Sequence, residues 1–201
     1  MTLQDEFGNI DIYLFDQLLR ARLRPGMRVL DAGCGGGRNL VYLLRNGFDV
    51  WATDANPEAV AHVRSLVTAL APALPPTRVR QEPVERSSFA DSDFDVVISS
   101  AVLHFARDDE QFEKMVGEMW RVLAPGGMLF CRLASAIGLD GAHPLGQNRY
   151  QLPDGSERYL VTAEGLLALT ARLGGTLLDP LKTTVVHEQR SMTTWVVEKG
   201  A

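Results

Sequence analysis

The stretch Val29-Leu30-Asp31-Ala32-Gly33-Cys34-Gly35-Gly36-Gly37-Arg38-Asn39-Leu40 constrains this 201-residue chain more than any other feature. An apolar run enters a loop with glycine at every second position, and the pattern predicts a helix straight after it. Glycine has no Cβ atom, so Gly33, Gly35 and Gly37 can take positive φ and let a ligand lie directly on the backbone. A second apolar run, Val50-Trp51-Ala52-Thr53, ends in Asp54 and Ala55, as expected of a strand end that presents a carboxylate to a ribose. Together they point to a site for a nucleoside-containing cofactor.

Spacing narrows the class. A dinucleotide loop, G-x-G-x-x-G, counted from Gly33 requires glycine at position 38, where this chain has Arg38. The glycines read G-x-G-x-G, with Asp31 two residues ahead. In this the sequence resembles class I S-adenosylmethionine (AdoMet) methyltransferases, whose first motif is D/E-x-G-x-G-x-G. Ser92-Asp93-Phe94-Asp95-Val96-Val97-Ile98-Ser99 resembles that family's fourth strand, and Arg121-Val122-Leu123-Ala124-Pro125-Gly126-Gly127 its turn before strand five. The likeness covers about Met27–Cys131. Gly37-Arg38-Asn39 with Gly47-Phe48-Asp49-Val50 is most similar to small bacterial methyltransferases of the tellurite-resistance and thiopurine type. The resemblance implies an α/β fold: a Rossmann-like three-layer sandwich whose seven-stranded, mostly parallel sheet has an antiparallel last strand.

The hydrophobic pattern predicts the same alternation of strands and helices. An opening helix over about Asp11–Arg22 places Ile12, Phe15, Leu18 and Leu19 on one face and pairs Asp16 with Arg20. Strands are expected at Arg28–Asp31, Asp49–Thr53, Thr77–Gln81, Phe94–Ser99 and Met128–Arg132. Helices are expected at about Arg38–Asn46, Pro57–Leu70, Asp109–Leu123 and from Thr162 to Leu173. Ala134–Gln147 reads as loop, Pro153-Asp154-Gly155 as a turn, and Thr183–Val186 with Thr193–Glu198 as a terminal hairpin. The expectation is one domain over residues 1–201, with a helical cap at 1–26 and a substrate-side insertion or lid at 134–160.

Bulk properties exclude several classes. A net charge of −5 argues against a nucleic-acid partner, although it leaves room for a local basic patch. No segment has the uninterrupted apolar length of a membrane span, and the start, Met1-Thr2-Leu3-Gln4-Asp5-Glu6, does not read as a signal. Cys34 and Cys131 are too few for a disulfide framework, so a reducing cytoplasm is the simplest location. No cluster with metal-ligand spacing is present in the sequence.

The resemblance implies AdoMet as cofactor and S-adenosylhomocysteine as product, bound by Asp31, Gly33, Cys34, Gly35, Gly37, Arg38, Asp54 and Ala55. The family usually has an Asp after strand three that reads the adenine amino group. Pro83 stands there, leaving Glu82 or the backbone of Val84 to do so. Ser99 and Ser100 meet the methionine amino group or simply cap the fourth strand. His104 binds the acceptor, takes its proton, or packs beside Phe105. His187 and Arg190 loosely match a His-Arg pair near the active site of the tellurite-type branch. Arg132, His143, Arg149, Tyr150, Arg158 and Tyr159 are further acceptor-side candidates. The repeated Arg-Tyr either clamps an anionic or aromatic acceptor or forms a hairpin with ordinary surface charge. The expected activity is in-line methyl transfer to a small-molecule acceptor by a monomer or homodimer. The alternatives are a non-catalytic AdoMet-binding or regulatory protein, or a NAD(P)-dependent oxidoreductase.

Overall fold

The computed structural model describes residues 2–187 and 189–200. Its elements run α1 (Leu3–Phe7), α2 (Ile12–Leu19), β1 (Arg28–Ala32), α3 (Val41–Arg45), β2 (Asp49–Asp54), α4 (Pro57–Leu70), β3 (Val79–Gln81) and β4 (Phe94–Ser100). They continue with α5 (Asp109–Val122), β5 (Leu123–Ala134), β6 (His143–Gly146), β7 (Arg149–Gln151), β8 (Glu157–Tyr159), α6 (Ala163–Arg172), β9 (Gly175–Leu177), β10 (Lys182–Val186) and β11 (Arg190–Lys199).

The main sheet has the order β10-β11-β5-β4-β1-β2-β3. Strands β1 to β5 pair in parallel, and β11 runs antiparallel to β5 and β10. The short β9 makes the sheet eight-stranded: it joins β11 at Val197–Lys199, beyond the stretch that β10 occupies. Strands buried on both faces divide their side chains by alternation. Val29, Val96 and Phe130 pack with Leu14, Leu43 and Val63 from α2, α3 and α4. Leu30, Val97 and Leu129 pack with Phe112, Met119 and Leu166 from α5 and α6. This is the expected α/β sandwich.

Four local expectations change. The helix after the glycine loop starts at Val41, because Gly37 and Leu40 close successive turns and Leu40 offers no side-chain cap. The Pro125-Gly126-Gly127 segment lies within β5 as a bulge: Phe94 pairs with Leu123, then Val96 with Met128. Part of the expected loop Ala134–Gln147 forms β6, which builds a separate antiparallel sheet with β7 and β8. In α2 the buried residues are Leu14 and Gln17, whereas Ile12 and Leu19 are 68% and 71% exposed. A polar anchor overrides hydrophobic periodicity there: the Gln17 amide donates to Asp179 and accepts from Arg22.

Leu14 is completely buried against the sheet. Leu14→Ala is therefore expected to cost about 2–5 kcal/mol in urea denaturation; a loss below about 1 kcal/mol would show that the N-terminal segment is peripheral to the core.

Candidate functional site

Strand order reverses at β1, which lies between β2 and β4, so the loops leaving their carboxyl ends diverge around a crevice. A cavity of about 390 Å³ opens there, bordered by Gly33, Gly35, Asp54, Ala55, Pro83 and Val84, with Ala101 and Val102 opposite. The glycine loop is hung on β2, since the N–H groups of Gly33 and Cys34 both donate to the Thr53 carbonyl at 2.9 Å. Gly33 has φ +81°, and a Cβ there would come within 2.6 Å of Val102. Gly35 has φ +50° with open space where a Cβ would stand, and its N–H donates to Asp54 Oδ2 at 2.8 Å. Asp54 Oδ1 accepts from the Asn56 N–H at 2.8 Å. Each carboxylate oxygen keeps a second lone pair, enough for two hydroxyl donors.

The remaining loop residues work from behind the cavity. Gly37 lets the chain pass Val63 and Leu66 at close range. Cys34 is buried, and burial raises its thiol pKa well above the usual range, leaving a packing group rather than a nucleophile. Asp31 is 2% exposed and its Oδ2 has no hydrogen-bond partner among the described residues. Burial, opposed by the charge of Arg38 and reinforced by Asp54, pushes its pKa to about 7. Ser99 Oγ is likewise buried and unpartnered among the described residues. Glu82 does not border the cavity: both its oxygens accept from Ser88, at 2.9 Å from the N–H and 2.5 Å from the hydroxyl. The turn closed by Arg86 N–H on the Pro83 carbonyl leaves Pro83 and Val84 facing the cavity instead.

A second cavity, of about 360 Å³, is bordered by Arg38, His104, Arg132, Arg158 and Arg190, with Ala101 on the side it shares with the first. Two of its arginines, Arg38 and Arg132, rest on a residue the sequence reading did not single out. Asp11 caps α2 by accepting from Tyr13 N–H at 3.0 Å, and its side chain is fully buried. Its Oδ2 accepts from Arg132 at 3.0 Å, Ser100 at 3.2 Å and Arg38 at 3.3 Å. Arg38 also donates to Ser100 Oγ at 2.7 Å, which places its side chain across the loop rather than on a helix N-terminus. The available signal was an aspartate directly before an amphipathic helix, an N-cap pattern; nothing in the sequence tied it to arginines 27 and 121 residues away.

His104 is buried, with its ring 4.5 Å from that of Phe105 and its Nδ1 unpartnered among the described residues. Burial, with the nearby charge of Arg158, lowers its pKa to about 4, so it is neutral at pH 7. The structure does not bring His187 to Arg190 at this cavity: Arg190 borders it, but His187 stands exposed in the β10–β11 turn with φ 43°. Of the other candidates, Arg149 pairs with Glu157, Tyr159 donates to Asp109 while stacking on Phe112, and His143 is exposed.

A nucleoside-sized crevice at the switch point of a mostly parallel sheet defines a Rossmann-like cofactor-binding fold. Residues 30–131 match the methyltransferase domain family, and the chain belongs to it. It is 34% identical over 106 residues to an uncharacterised methyltransferase of Synechocystis, covering 53% of this chain and 46% of that one. It is 32% identical over 167 residues to a ubiquinone biosynthesis O-methyltransferase of Brucella anthropi, covering 79% of this chain and 64% of that one. The chain thus spans about half the length of the first relative and under two thirds of the second. In fold it is similar to a Burkholderia thailandensis 1,6-didemethyltoxoflavin-N1-methyltransferase crystallised with S-adenosylhomocysteine, with a TM-score of 0.68, 22% identity, and 92% of this chain and 76% of that one covered. AdoMet is the cofactor this membership supports. No helix among the described residues is long and apolar enough to cross a membrane, and no group of His, Cys, Asp or Glu among them could hold a metal ion.

Asp31 retains its proton to a higher pH when folded than when unfolded, so its ionisation opposes folding. Asp31 therefore contributes stability that is full below about pH 4 and lost as pH rises through about 7. Buried His104 contributes with the opposite sign, from about 4 up to its ordinary value. In thermal melts Asp31→Asn should thus gain stability relative to the wild type on going from pH 5 to pH 8. An unaltered difference between the two proteins would place the titration elsewhere. Asp11→Ala removes the shared acceptor of two guanidinium groups and a helix cap, and is expected to cost about 2–4 kcal/mol by chemical denaturation.

Proposed function

We propose that the chain transfers the methyl group of AdoMet to a small-molecule acceptor, with the donor in the Gly35–Asp54 cavity and the acceptor in the arginine-lined one. The observation that carries this reading is that the two cavities meet at Ala101. The donor cavity suits the cofactor: Gly35 leaves open room and Asp54 has spare acceptor capacity for ribose hydroxyls. The backbone at Pro83 and Val84 faces where an adenine would lie. The orphaned Oδ2 of Asp31 supplies a buried negative charge on the loop side once ionised, suited to the cationic end of the cofactor.

When bound, AdoMet supplies a methyl group already activated on a sulfonium, so the protein's contribution is chiefly alignment. Gly35, Asp54 and the Pro83–Val84 segment would hold the cofactor so that its sulfonium could give up the methyl group to an acceptor atom's lone pair and keep the carbon–sulfur electrons as a thioether. If that acceptor atom carries hydrogen, His104, neutral at pH 7 and bordering the same cavity, is the residue placed to take the proton. Residues 1–201 act as one unit in this reading, with residues 134–160 roofing the acceptor side.

Calorimetric titration with AdoMet, S-adenosylhomocysteine and NAD(P) tests the donor assignment. AdoMet and its product should bind, and Asp54→Ala should weaken them about ten- to a hundredfold through loss of charge-assisted hydrogen bonds. Binding of nicotinamide cofactors alone, or unchanged affinity in a folded Asp54→Ala protein, would refute it.

A further inference from the structure

Among the described residues, the arginine-lined cavity carries more positive charge than its own contacts neutralise. Four arginines among the described residues border it, Arg38, Arg132, Arg158 and Arg190, against one carboxylate, Asp154. Asp11 beneath accounts for one Nη of Arg38 and one of Arg132. Asp154 accepts from the Ser156 N–H at 2.9 Å and hydroxyl at 2.6 Å. These bonds, with a smaller part from the charge of Arg158, hold its carboxyl below the usual range, without an ion pair to Arg158 among the described residues. Arg158 donates to the neutral carbonyl of Glu157 at 2.7 Å and lies 4.9 Å from the centre of the Phe105 ring, neither of which cancels its charge. The Nε of Arg132 is buried without an acceptor among the described residues. The whole chain is acidic, at −5, so this excess is a local concentration and not a general property of the surface.

Between the arginines, beside Ser156 and Ser191, the wall has an apolar strip formed by Ala134, Leu152 and Met192. Ala134 and Leu152 belong to a small core shared by β5 and the β6–β8 sheet, with Met192 packed against it, so the wall is held in place. At about 360 Å³ the space is near the lower end of ligand pockets, roughly 300–1,000 Å³. That suits a compact molecule with a carbon skeleton and one anionic end, and is too confined for a folded macromolecule.

Resting on the methyltransferase reading above, we infer that the acceptor is a small organic anion, a carboxylate or phosphate monoester, whose charged group is held by Arg158 and Arg190 while its carbon skeleton lies on Leu152 and Met192. Guanidinium groups present paired donors in a plane that matches both oxyanions. Holding the anion at the arginine end leaves the opposite end of the molecule free to approach Ala101 and the methyl donor. His104, kept neutral partly by the same positive field, faces that molecule without competing for its charge.

The test uses the full chain saturated with S-adenosylhomocysteine and matched probes: benzoate and hexanoate, their primary amides, and phenyl phosphate. Binding is read by calorimetry for the wild type and for the double variant Arg158→Gln/Arg190→Gln. At least one anion should bind about tenfold or more tighter than its neutral counterpart, and the double variant should lose about tenfold or more of that affinity. Carboxylates and phenyl phosphate tested side by side distinguish the two anion types. S-adenosylhomocysteine affinity should remain within about twofold in the variant, showing that it is folded and that the effect is confined to the acceptor side. Amides binding as tightly as acids, no anion binding, or a variant that retains anion affinity would each overturn the inference while leaving the donor site standing. Tight binding of a single-stranded oligonucleotide through the same two arginines would overturn it in favour of a polyanion. Failure of the wild type to bind S-adenosylhomocysteine would instead overturn the methyltransferase reading on which it rests.

Discussion

One buried carboxylate joins the segments that border the arginine-lined cavity. Asp11 belongs to the N-terminal segment, Arg38 to the loop after β1, Ser100 to the end of β4 and Arg132 to β5, and all three partners reach the same oxygen. The Asp11 N–H also donates to Asn39 at 3.0 Å, so the segment is fixed to the glycine loop through its backbone as well. A charge this deep is costly unless fully paired, so these partners are required together or not at all. The N-terminal helices are therefore part of the site's frame. Tyr13, whose hydroxyl lies 2.7 Å from Thr184 on β10, extends that frame across the edge of the sheet.

The two cavities are built by different means. The glycine-loop cavity is shaped by backbone: a loop with three positive-φ glycines, carbonyl and N–H contacts to β2, and a turn at Pro83. The arginine-lined cavity is shaped by long side chains from β5, β8, β11 and the glycine loop, with His104 from the single turn after β4. Backbone shape requires particular residue types at fixed spacing; side-chain convergence requires only that distant positions meet.

That difference explains what could be read from sequence. Gly33, Gly35 and Asp54 announce themselves because few other residues satisfy the local geometry, and the alternating burial of Val29, Leu30, Val96 and Val97 follows from strand period and double-sided cover. Asp11 was invisible as a site residue, since its importance arises from pairings over long sequence separations. The misjudged face of α2 has the same origin, a buried Gln17 satisfied by Asp179 from far down the chain. Glu82 was expected at the cavity because Pro83 displaced the usual acid, but the hydrogen bonds to Ser88 draw it the other way. His187 and Arg190 are close in sequence on a tight turn, yet that turn sends only Arg190 to the cavity.

Ala101 holds φ at +65°, a conformation that costs a residue with a Cβ roughly 1–3 kcal/mol and that valine, isoleucine and threonine scarcely adopt. Its N–H is fixed to the Arg132 carbonyl at 2.7 Å, so the chain cannot easily relax out of it. Among the described residues it is the one that both cavities share. Thickening this partition with a branched side chain is thus opposed by backbone sterics before any ligand is considered. Substitution here is tolerated best as glycine, asparagine or aspartate, so the wall that the two cavities share is held thin by a torsion angle.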